Sequence, residues 1–291
     1  MIQRIYIFGN PTQSEGTEHI GRFFNALAAA ATHTRLMVEP DYMQFLLARF
    51  PHLIHSLIPF SEPADSSQPA LALSVGGDGT FLNTANRIIP ANTPIMGINS
   101  GHLGYLSATD INRAPEVAES IIAGHYRVEP RTLLQVSSTS PLLPSKPFAL
   151  NEVVILKQDT ASMITVDALL NDLPLASYSG DGLIISTPTG STGYNMSVGG
   201  PIVGPHSADW IISPVAPHSL SMRPLVVNDN SVLTVTARSR THKMLLAIDG
   251  RSTPLPIDTS LTIKKAPFCV NLALLAESNF IDTLRHKLHW G

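Results

Sequence analysis

The sequence predicts an open α/β domain in the first part of the chain and a β-rich domain after it. Up to about residue 126, short apolar strands alternate with segments of helical periodicity, which is typical of a mostly parallel sheet. Beyond that point helical periodicity fades, and short strand-like runs alternate with turn residues. The chain has 291 residues, enough for two domains that each bury a core.

The elements of the first part follow from its apolar residues. Ile20, Phe23, Phe24 and Leu27 recur at helical spacing, so we expect a helix that packs one face inward. The predicted strands are Arg4–Phe8, Arg35–Val38, Leu71–Val75 and Pro94–Ile98. The predicted helices cover residues 20–27, 42–46, 81–89 and 115–123. Residues 59–69 are predicted to form a loop.

The second part is expected to form a β-sandwich or a related all-β arrangement. Its predicted strands are Val153–Leu156, Met163–Leu170, Leu183–Ser186, Leu225–Val227, Val232–Ala237 and Met244–Ile248. Asn171-Asp172 and Asp249-Gly250 are typical of tight turns between strands. The last 25 residues are predicted to be helical, with Phe280, Leu284 and Leu288 on one face. This tail either caps the β domain or returns to the first domain.

Composition restricts the classes of function. Charged residues make up 14% of the chain, against roughly 25% in an average soluble domain, which favours large internal interfaces or an oligomer. The formal charge is −3 and no run of Lys and Arg occurs, which excludes the electrostatic footprint of a nucleic-acid binder. Cys269 is the single cysteine, so an intrachain disulfide and a Cys-rich metal site are excluded. No signal-peptide pattern or long apolar stretch occurs, so we expect a cytoplasmic protein without a membrane partner.

The first chemical signal is the segment GGDGT at residues 76–80, between a predicted strand and a predicted helix. Its glycines let the backbone approach a ligand, and the following helix N-terminus offers free N–H groups to phosphate. The Asp78 carboxylate would repel phosphate, so it is expected to bind a metal ion or to accept a hydrogen bond from a hydroxyl group. The alternative is a tight turn in which Asp78 caps the helix. The chain lacks Gly-Lys, GxGxxG and HRD motifs, which excludes a P-loop, the usual dinucleotide fingerprint and protein-kinase chemistry.

A second polar cluster occupies residues 180–204, where a strand leads into a loop rich in glycine, serine and threonine. Hydroxyl groups and bare backbone amides there can line a polar ligand site, and Tyr194 can offer a flat face to an adenine or nicotinamide ring. The hydroxyl groups belong to Thr187, Thr189, Ser191, Thr192 and Ser197. The alternative is an ordinary loop of a β domain.

Asn151 and Glu152 begin a predicted strand after a proline-rich loop. An amide and a carboxylate at a strand start can bind ribose hydroxyls or an amino group. The alternative is a turn at the start of an edge strand. Histidines do not add a metal site, because His102, His206 and His218 lie beside glycine or proline and no HxxxH or HExxH motif occurs.

Five segments in order resemble the NAD kinase family, in its ATP-dependent bacterial type. They are GGDGT at 76–80, GINSGHLGYL at 97–106, NEVV at 151–154, DGLIISTPTGSTGYNMSVGGPIV at 181–203 and PHSLSMRPLVV at 217–227. The resemblance implies transfer of the γ-phosphoryl group of ATP to the 2'-hydroxyl of the adenosine ribose of NAD, forming NADP. It also implies a Rossmann-like open α/β domain of residues 1–126 with the returning tail 265–291, and a β-sandwich-type NAD-binding domain of residues 127–264.

The resemblance also implies roles for individual residues. Asp78 would be the general base, and a divalent metal, usually magnesium, would accompany ATP without an assigned protein ligand. The ATP phosphate loop would consist of Gly76, Gly77, Gly79 and Thr80. The NAD-binding residues would be Asp78, Gly79, Asn151, Glu152, Asp181, Thr192, Gly193, Tyr194, Asn195, Met196 and Ser197. Asp181 would act across a subunit interface, in a homodimer or homotetramer.

Some positions depart from the pattern that the resemblance implies. Asn83 stands where many relatives carry Arg or His, and Gly193 where alanine is usual. Ser179 stands where some relatives carry Arg, and Arg251 where other polar residues are common. With Ser162, these residues are further candidates for ligand contacts.

Three other functions share part of this pattern. A lipid kinase also carries GGDGT and a β domain, but it does not explain the segments at 97–106 and 181–203. A sugar-phosphate kinase would need more Arg and Lys for its phosphorylated substrate. A non-catalytic NAD(P) sensor would lack the carboxylate that Asp78 supplies.

Overall fold

The computed structural model describes residues 2–12, 17–61, 69–101, 104–138, 140–159 and 162–290. The chain divides into two compact units, which are described separately below. The first unit comprises Met1–Pro130 and Val270–Gly291, and the second comprises Arg131–Cys269. The C-terminal tail therefore belongs with the first unit, as the resemblance implied.

Strands and helices are numbered in chain order. The strands are β1 (Arg4–Gly9), β2 (Arg35–Val38), β3 (Leu57–Pro59), β4 (Ala70–Val75), β5 (Ile95–Asn99), β6 (Thr109–Asp110), β7 (Tyr126–Ser138), β8 (Phe148–Ala149), β9 (Glu152–Lys157), β10 (Ile164–Leu170), β11 (Leu173–Gly180), β12 (Gly182–Ser186), β13 (Asp209–Val215), β14 (Leu225–Asn228), β15 (Leu233–Ser239), β16 (Lys243–Ile248), β17 (Arg251–Pro256) and β18 (Leu261–Leu275). The helices are α1 (Thr17–Ala30), α2 (Pro40–Arg49), α3 (Asp78–Ile88), α4 (Ala114–Ala123), α5 (Tyr194–Ser197) and α6 (Phe280–Leu288). Short 3-10 turns lie at Pro51–His55, Ile111–Arg113 and Thr189–Thr192.

The first unit contains a parallel sheet, which confirms the predicted open α/β class. Its order is β18, β5, β4, β1, β2 and β3, with β18 represented by its C-terminal end. The strands are apolar throughout because both faces of such a sheet are covered. Helix α1 buries the four predicted residues of its inward face, Ile20, Phe23, Phe24 and Leu27.

The second unit contains two antiparallel sheets packed into a sandwich. One has the order β11, β10, β15 and the N-terminal part of β18, with β7 and β8 attached to it. The other has the order β14, β13, β12, β9, β16 and β17. Alternate side chains of both sheets, such as Ile155 and Val166, share one hydrophobic core. This architecture confirms the β-rich second domain.

Both predicted tight turns join paired strands. Asn171 and Asp172 connect β10 with β11 at φ values of 51° and 64°. Asp249 and Gly250 connect β16 with β17 at φ values of 47° and 77°. Two successive positive φ values in a two-residue loop are the geometry of a type I' hairpin turn, which favours Asn, Asp and Gly.

The C-terminal segment corrects one expectation. Strand β18 continues to Leu275, so the last 25 residues begin as a strand and not as a helix. Their apolar run is short and continuous, and such a run does not by periodicity alone distinguish a buried strand from a helix. Helix α6 follows, and of its predicted inward residues only Leu284 is buried.

The predicted loop at 59–69 falls mostly on residues 62–68, which lie outside the described residues. In the parts of the chain that the structure describes, no helix combines the length and the apolar character needed to cross a membrane.

Candidate functional site

The GGDGT segment forms the junction between β4 and α3, at the carboxyl end of a parallel strand. Gly76 has a φ of 151°, and a Cβ there would lie 2.4 Å from Thr80 Oγ1, so glycine is required. Gly77 and Gly79 have open space around them. The backbone N–H groups at the start of α3 are thus accessible to an anionic ligand.

A cavity of about 790 Å³ adjoins this turn within the first unit. One face of helix α3 lines this cavity, because the polar residues from Thr80 to Arg87 recur at helical spacing. The α3 residues in the lining include Gly79, Thr80, Asn83, Thr84 and Arg87. Asn10, Glu39 and Asp41 contribute from beyond the carboxyl ends of β1 and β2, and Glu39 forms an ion pair with Arg87. Ligands of open α/β sheets bind at this edge.

Asp78 does not act as the N-cap of α3, since Gly77 occupies that position. Its carboxylate instead accepts hydrogen bonds from three consecutive backbone N–H groups. Oδ2 accepts from Tyr105 at 2.9 Å, and Oδ1 accepts from Leu106 at 3.1 Å and from Ser107 at 3.0 Å. A carboxylate oxygen has two lone pairs, so Oδ2 retains a position for one further donor.

Residues 104–107 form the cradle of this carboxylate. A Cβ on Gly104 would lie 1.9 Å from Asp78 Oδ1, so the carboxylate approaches the backbone closely. The sequence segment at 97–106 was informative only as part of the family pattern, and its contact with Asp78 was not predicted. His102 and Leu103 of that segment lie outside the described residues.

In the second unit, Asn151 and Glu152 lie at the start of β9 with two unsatisfied acceptors. Asn151 Oδ1 and Glu152 Oε2 are buried atoms without a hydrogen-bond partner among the described residues. Burial raises the pKa of Glu152 to about 7, the charge of Asp249 adds to this increase, and the backbone N–H of Tyr194 opposes it. Buried acceptors without partners are costly, which indicates a ligand that donates hydrogen bonds to them.

The loop after β12 packs tightly against this strand start. Thr187 Oγ1 donates to the backbone oxygen of Leu150 at 2.6 Å and accepts from Gly190 N at 3.1 Å. A Cβ on Gly190 would lie 2.1 Å from the backbone oxygen of Asn151, so no larger residue fits. The glycines and hydroxyls of the loop therefore set the position of residues 150–152.

Asn195 is predicted as an NAD-binding residue, and its side chain forms hydrogen bonds within the loop and with strand β13. Asn195 is fully buried, its Nδ2 donates to Ser191 O and Pro201 O, and its Oδ1 accepts from Ser213 Oγ at 2.7 Å. All its hydrogen-bonding groups are engaged, so it positions the loop. Tyr194, by contrast, is 39% exposed and its ring is accessible.

The other predicted residues of this loop have intermediate or full exposure. Thr192, Gly193 and Met196 are half-buried, and Ser197 is exposed. A Cβ on Gly193 would lie 3.0 Å from Glu152 Oε2 and 3.5 Å from Asn151 Nδ2. Gly193 therefore borders the two unsatisfied residues at the start of β9.

The remaining candidates lie elsewhere in the second unit. Asp181 forms an ion pair with Lys157 at 2.6 Å, at the opposite end of β9 from Glu152 and about 17 Å along the strand. Ser179 Oγ hydrogen-bonds Thr165 Oγ1 at 2.9 Å. Ser162 Oγ is buried without a partner among the described residues.

Arg251 begins strand β17, directly after the turn formed by Asp249 and Gly250. Its guanidinium donates to the backbone oxygen of Phe148 at 3.1 Å. Burial lowers the pKa of Arg251, and Asp249 opposes this. Arg251 thus lies near Asp249, whose charge also acts on Glu152.

Two family models match the sequence. The ATP-NAD kinase N-terminal domain matches residues 12–126, and the ATP-NAD kinase C-terminal domain matches residues 150–274. An NAD kinase of Porphyromonas gingivalis strain W83 is 40% identical, with 100% of this chain and 99% of the relative covered. An NAD kinase of Bacteroides fragilis is also 40% identical, over 98% of this chain and 97% of the relative.

Two solved structures are similar over the whole chain. Yeast NADH kinase complexed with NADH has a TM-score of 0.87 at 23% identity, covering 100% of this chain and 88% of that one, a likeness of fold. An NAD kinase from Archaeoglobus fulgidus in complex with ATP has a TM-score of 0.72 at 26% identity, covering 99% of each chain.

Proposed function

This chain belongs to the ATP-NAD kinase family, and we propose that it transfers the γ-phosphoryl group of ATP to the 2'-hydroxyl of the adenosine ribose of NAD, forming NADP. The observation that carries the mechanism is the Asp78 carboxylate, which three backbone N–H groups hold in one orientation. Its Oδ2 retains one acceptor position, which suits a substrate hydroxyl group.

Asp78 is proposed to act as the general base. The 2'-hydroxyl donates to Asp78 Oδ2, and its proton moves to that oxygen as the hydroxyl oxygen bonds to the γ-phosphorus. The bond from the γ-phosphorus to the bridging oxygen breaks, and ADP leaves. The N–H groups of residues 105–107 keep the carboxylate from rotating, so that the base is already aligned when the substrate binds.

The ATP phosphates are proposed to bind at the start of α3, beside Gly76, Gly77, Gly79 and Thr80. The helix N-terminus and its free N–H groups stabilise their negative charge. A divalent metal bound with ATP would neutralise further negative charge on the phosphates. The Asp41 carboxylate and the Thr80 hydroxyl line the cavity, and such oxygen donors suit magnesium, which keeps several water ligands. Asn83, on the same face of α3, is proposed to contact ATP or its water shell.

NAD is proposed to engage the second unit through Asn151 and Glu152. Their unsatisfied oxygens are acceptors for ribose hydroxyl groups. The exposed Tyr194 ring supplies a stacking surface for adenine or nicotinamide. Thr192, Gly193, Met196 and Ser197 complete the lining that Asn195 positions.

We also propose a homodimer or homotetramer in the cytoplasm, with no nucleic-acid or membrane partner. Asp181 lies about 17 Å along β9 from Glu152, which favours its contribution to the NAD site of another subunit, beside Ser179. Leu173 and Leu220 are 70% and 96% exposed, as expected for residues that a second copy covers. Light scattering at assay concentration tests this assembly, and a fully active monomer would contradict the shared site.

A coupled assay tests the reaction itself. Purified protein is incubated with NAD, ATP and magnesium, and NADP is read through an NADP-specific dehydrogenase. Diacylglycerol and sugar-phosphate acceptors are run in parallel, and NADP formation alone is expected. Clear NAD binding by calorimetry without NADP formation from any phosphoryl donor would instead favour a non-catalytic sensor.

A further inference from the structure

The Asp249 carboxylate binds the backbone of the segment that carries Asn151 and Glu152. Oδ2 accepts from Leu150 N at 2.7 Å, and Oδ1 accepts from Asn151 N at 2.8 Å and from Glu152 N at 3.1 Å. The backbone N–H of Asp249 in turn donates to Glu152 O at 3.1 Å. Four hydrogen bonds from one residue therefore hold three consecutive residues.

These bonds lie just before the first residue pair between β9 and β16. Strand β9 starts at Glu152, and Val153 pairs with Ile248 in the register of β9 and β16. Leu150 and Asn151 precede the strand, so their backbone N–H groups have no sheet partner to donate to. The carboxylate replaces the missing strand and extends the order of β9 by two residues.

This backbone carries the side chains of Asn151 and Glu152, each of which has a buried oxygen without a partner among the described residues. Fixing the direction of their Cα–Cβ bonds before binding holds Asn151 Oδ1 and Glu152 Oε2 in position for a ligand. Thr187 binds the carbonyl groups of Leu150 and Asn151, and Asp249 holds their N–H groups, so the segment is fixed on both sides. An anchored segment binds more tightly because less conformational entropy is lost on binding.

We propose that Asp249 is a positioning residue of the NAD site, which presents Asn151 and Glu152 to the ribose through their backbone and does not itself touch NAD. The proposal rests on the proposed function, since it names what orders the NAD contacts.

The hairpin turn makes a conservative test available. Asp249 has a φ of 47° in a type I' turn, a conformation that asparagine adopts as readily as aspartate. Asp249→Asn keeps the turn and the size of the side chain. It replaces one carboxylate oxygen by an NH2 group, which opposes a backbone N–H donor and breaks at least one of the bonds.

The matched control is Asp229→Asn. Asp229 is another buried aspartate of the second unit, and it pairs with Lys265 next to the edge strand β14. In sheet order, β14 lies at the opposite edge from β16 and β17. The control therefore removes a buried carboxylate and its partner contact without touching residues 150–152.

The experiment measures the Kd for NAD and the KM for ATP separately on the full-length protein. Asp249→Asn is expected to weaken the Kd for NAD by about 10- to 100-fold, as loss of hydrogen bonds to a charged group does, and to leave the KM for ATP within about twofold. Amide hydrogen exchange at residues 150–152 is expected to accelerate in the same variant. Asp229→Asn is expected to lower the melting temperature and to leave both NAD binding and exchange at 150–152 unchanged.

A pH series separates this role from general destabilisation. Burial raises the pKa of Glu152, the Asp249 charge raises it further, the Tyr194 N–H lowers it, and Arg251 lies beside Asp249. Removing the Asp249 charge is expected to shift the pH dependence of NAD binding to lower pH in Asp249→Asn, and not in Asp229→Asn.

Three outcomes would overturn the proposal. They are unchanged NAD affinity in Asp249→Asn, weaker NAD binding without faster exchange at residues 150–152, and equal loss of NAD affinity in the control. Absence of NADP formation by the wild type would contradict the proposed function instead, and the exchange measurement still reports whether Asp249 orders residues 150–152.

Discussion

Asp78 and Asp249 make the same backbone contact in the two units. Each carboxylate accepts hydrogen bonds from three consecutive N–H groups, those of residues 105–107 and those of residues 150–152 respectively. They differ in their surroundings. Asp78 is half-buried at the start of a helix beside open glycines, whereas burial raises the pKa of Asp249 within a hairpin turn.

The difference shows two uses of one motif. Where the carboxylate keeps solvent access, the three bonds orient the carboxylate itself, which is proposed to accept a proton. Where the carboxylate is desolvated, the bonds orient the backbone that donates them, which is proposed to present neighbouring side chains. A short Asp-to-backbone contact thus supports chemistry in one unit and binding in the other.

The largest expected effect separates the two roles. Asp78→Asn should lower kcat by about two orders of magnitude or more, as loss of a general base does, and leave the Kd for NAD near the wild-type value. The coupled assay and calorimetry measure these quantities. Near-normal turnover would show that Asp78 is not the base, and a loss confined to NAD affinity would make it a second positioning residue.

A displaced carboxylate should reproduce part of that loss. Gly104→Ala places a Cβ 1.9 Å from Asp78 Oδ1, so the carboxylate must move although its charge is kept. A misplaced catalytic group of this kind typically costs about 100-fold, so kcat should fall by about 10- to 100-fold with little change in NAD affinity. The matched control is Gly101→Ala in the same segment, where nothing lies within 4 Å of the new Cβ, assayed beside it. Equal kcat in Gly104→Ala and wild type would show that the exact carboxylate position is unimportant.

The free energy of unfolding should depend on pH through the buried carboxyl group of Glu152. The pKa of Glu152 is raised by burial to about 7, so its protonated form is favoured in the folded state. The stability that Glu152 contributes is then complete below its ordinary pKa and is lost as pH rises through about 7. Glu152→Gln mimics the neutral group and should gain about 3 kcal/mol relative to wild type across that window. Denaturant unfolding at several pH values measures the difference, and parallel pH curves for the two proteins would refute it.

The smallest expected effect concerns the loop beside Glu152. In Gly193→Ala the new Cβ lies 3.0 Å from Glu152 Oε2, a side-chain atom that can yield by tenths of an ångström. The KM for NAD should change by no more than about threefold. Gly190→Ala is the informative comparison, because its Cβ would lie 2.1 Å from backbone at Asn151 and should cost far more. Similar KM values in both variants would show that the backbone of residues 150–152 moves freely.

Local patterns were sufficient for many elements of the fold. The GGDGT segment lies between a buried strand and a helix as predicted, and both predicted hairpin turns have the positive φ values that their residues favour. Strand β18 was not predicted, because its continuous apolar run carries no period that distinguishes strand from helix. The roles of the site residues remain proposals that the measurements above test.

The sequence by itself determined the family, the alternation of strands and helices in the first part, and the location of polar residues with ligand-binding chemistry. These features depend on residues within a few positions of each other. Only the tertiary structure decided what holds those residues, since Asp78 contacts N–H groups 27 to 29 positions away and Asp249 contacts N–H groups 97 to 99 positions away. It also showed that the Asn195 side chain forms hydrogen bonds with Ser191, Pro201 and Ser213. Backbone N–H groups are the same in every residue except proline, so the sequence carries no sign of which ones a distant carboxylate will meet.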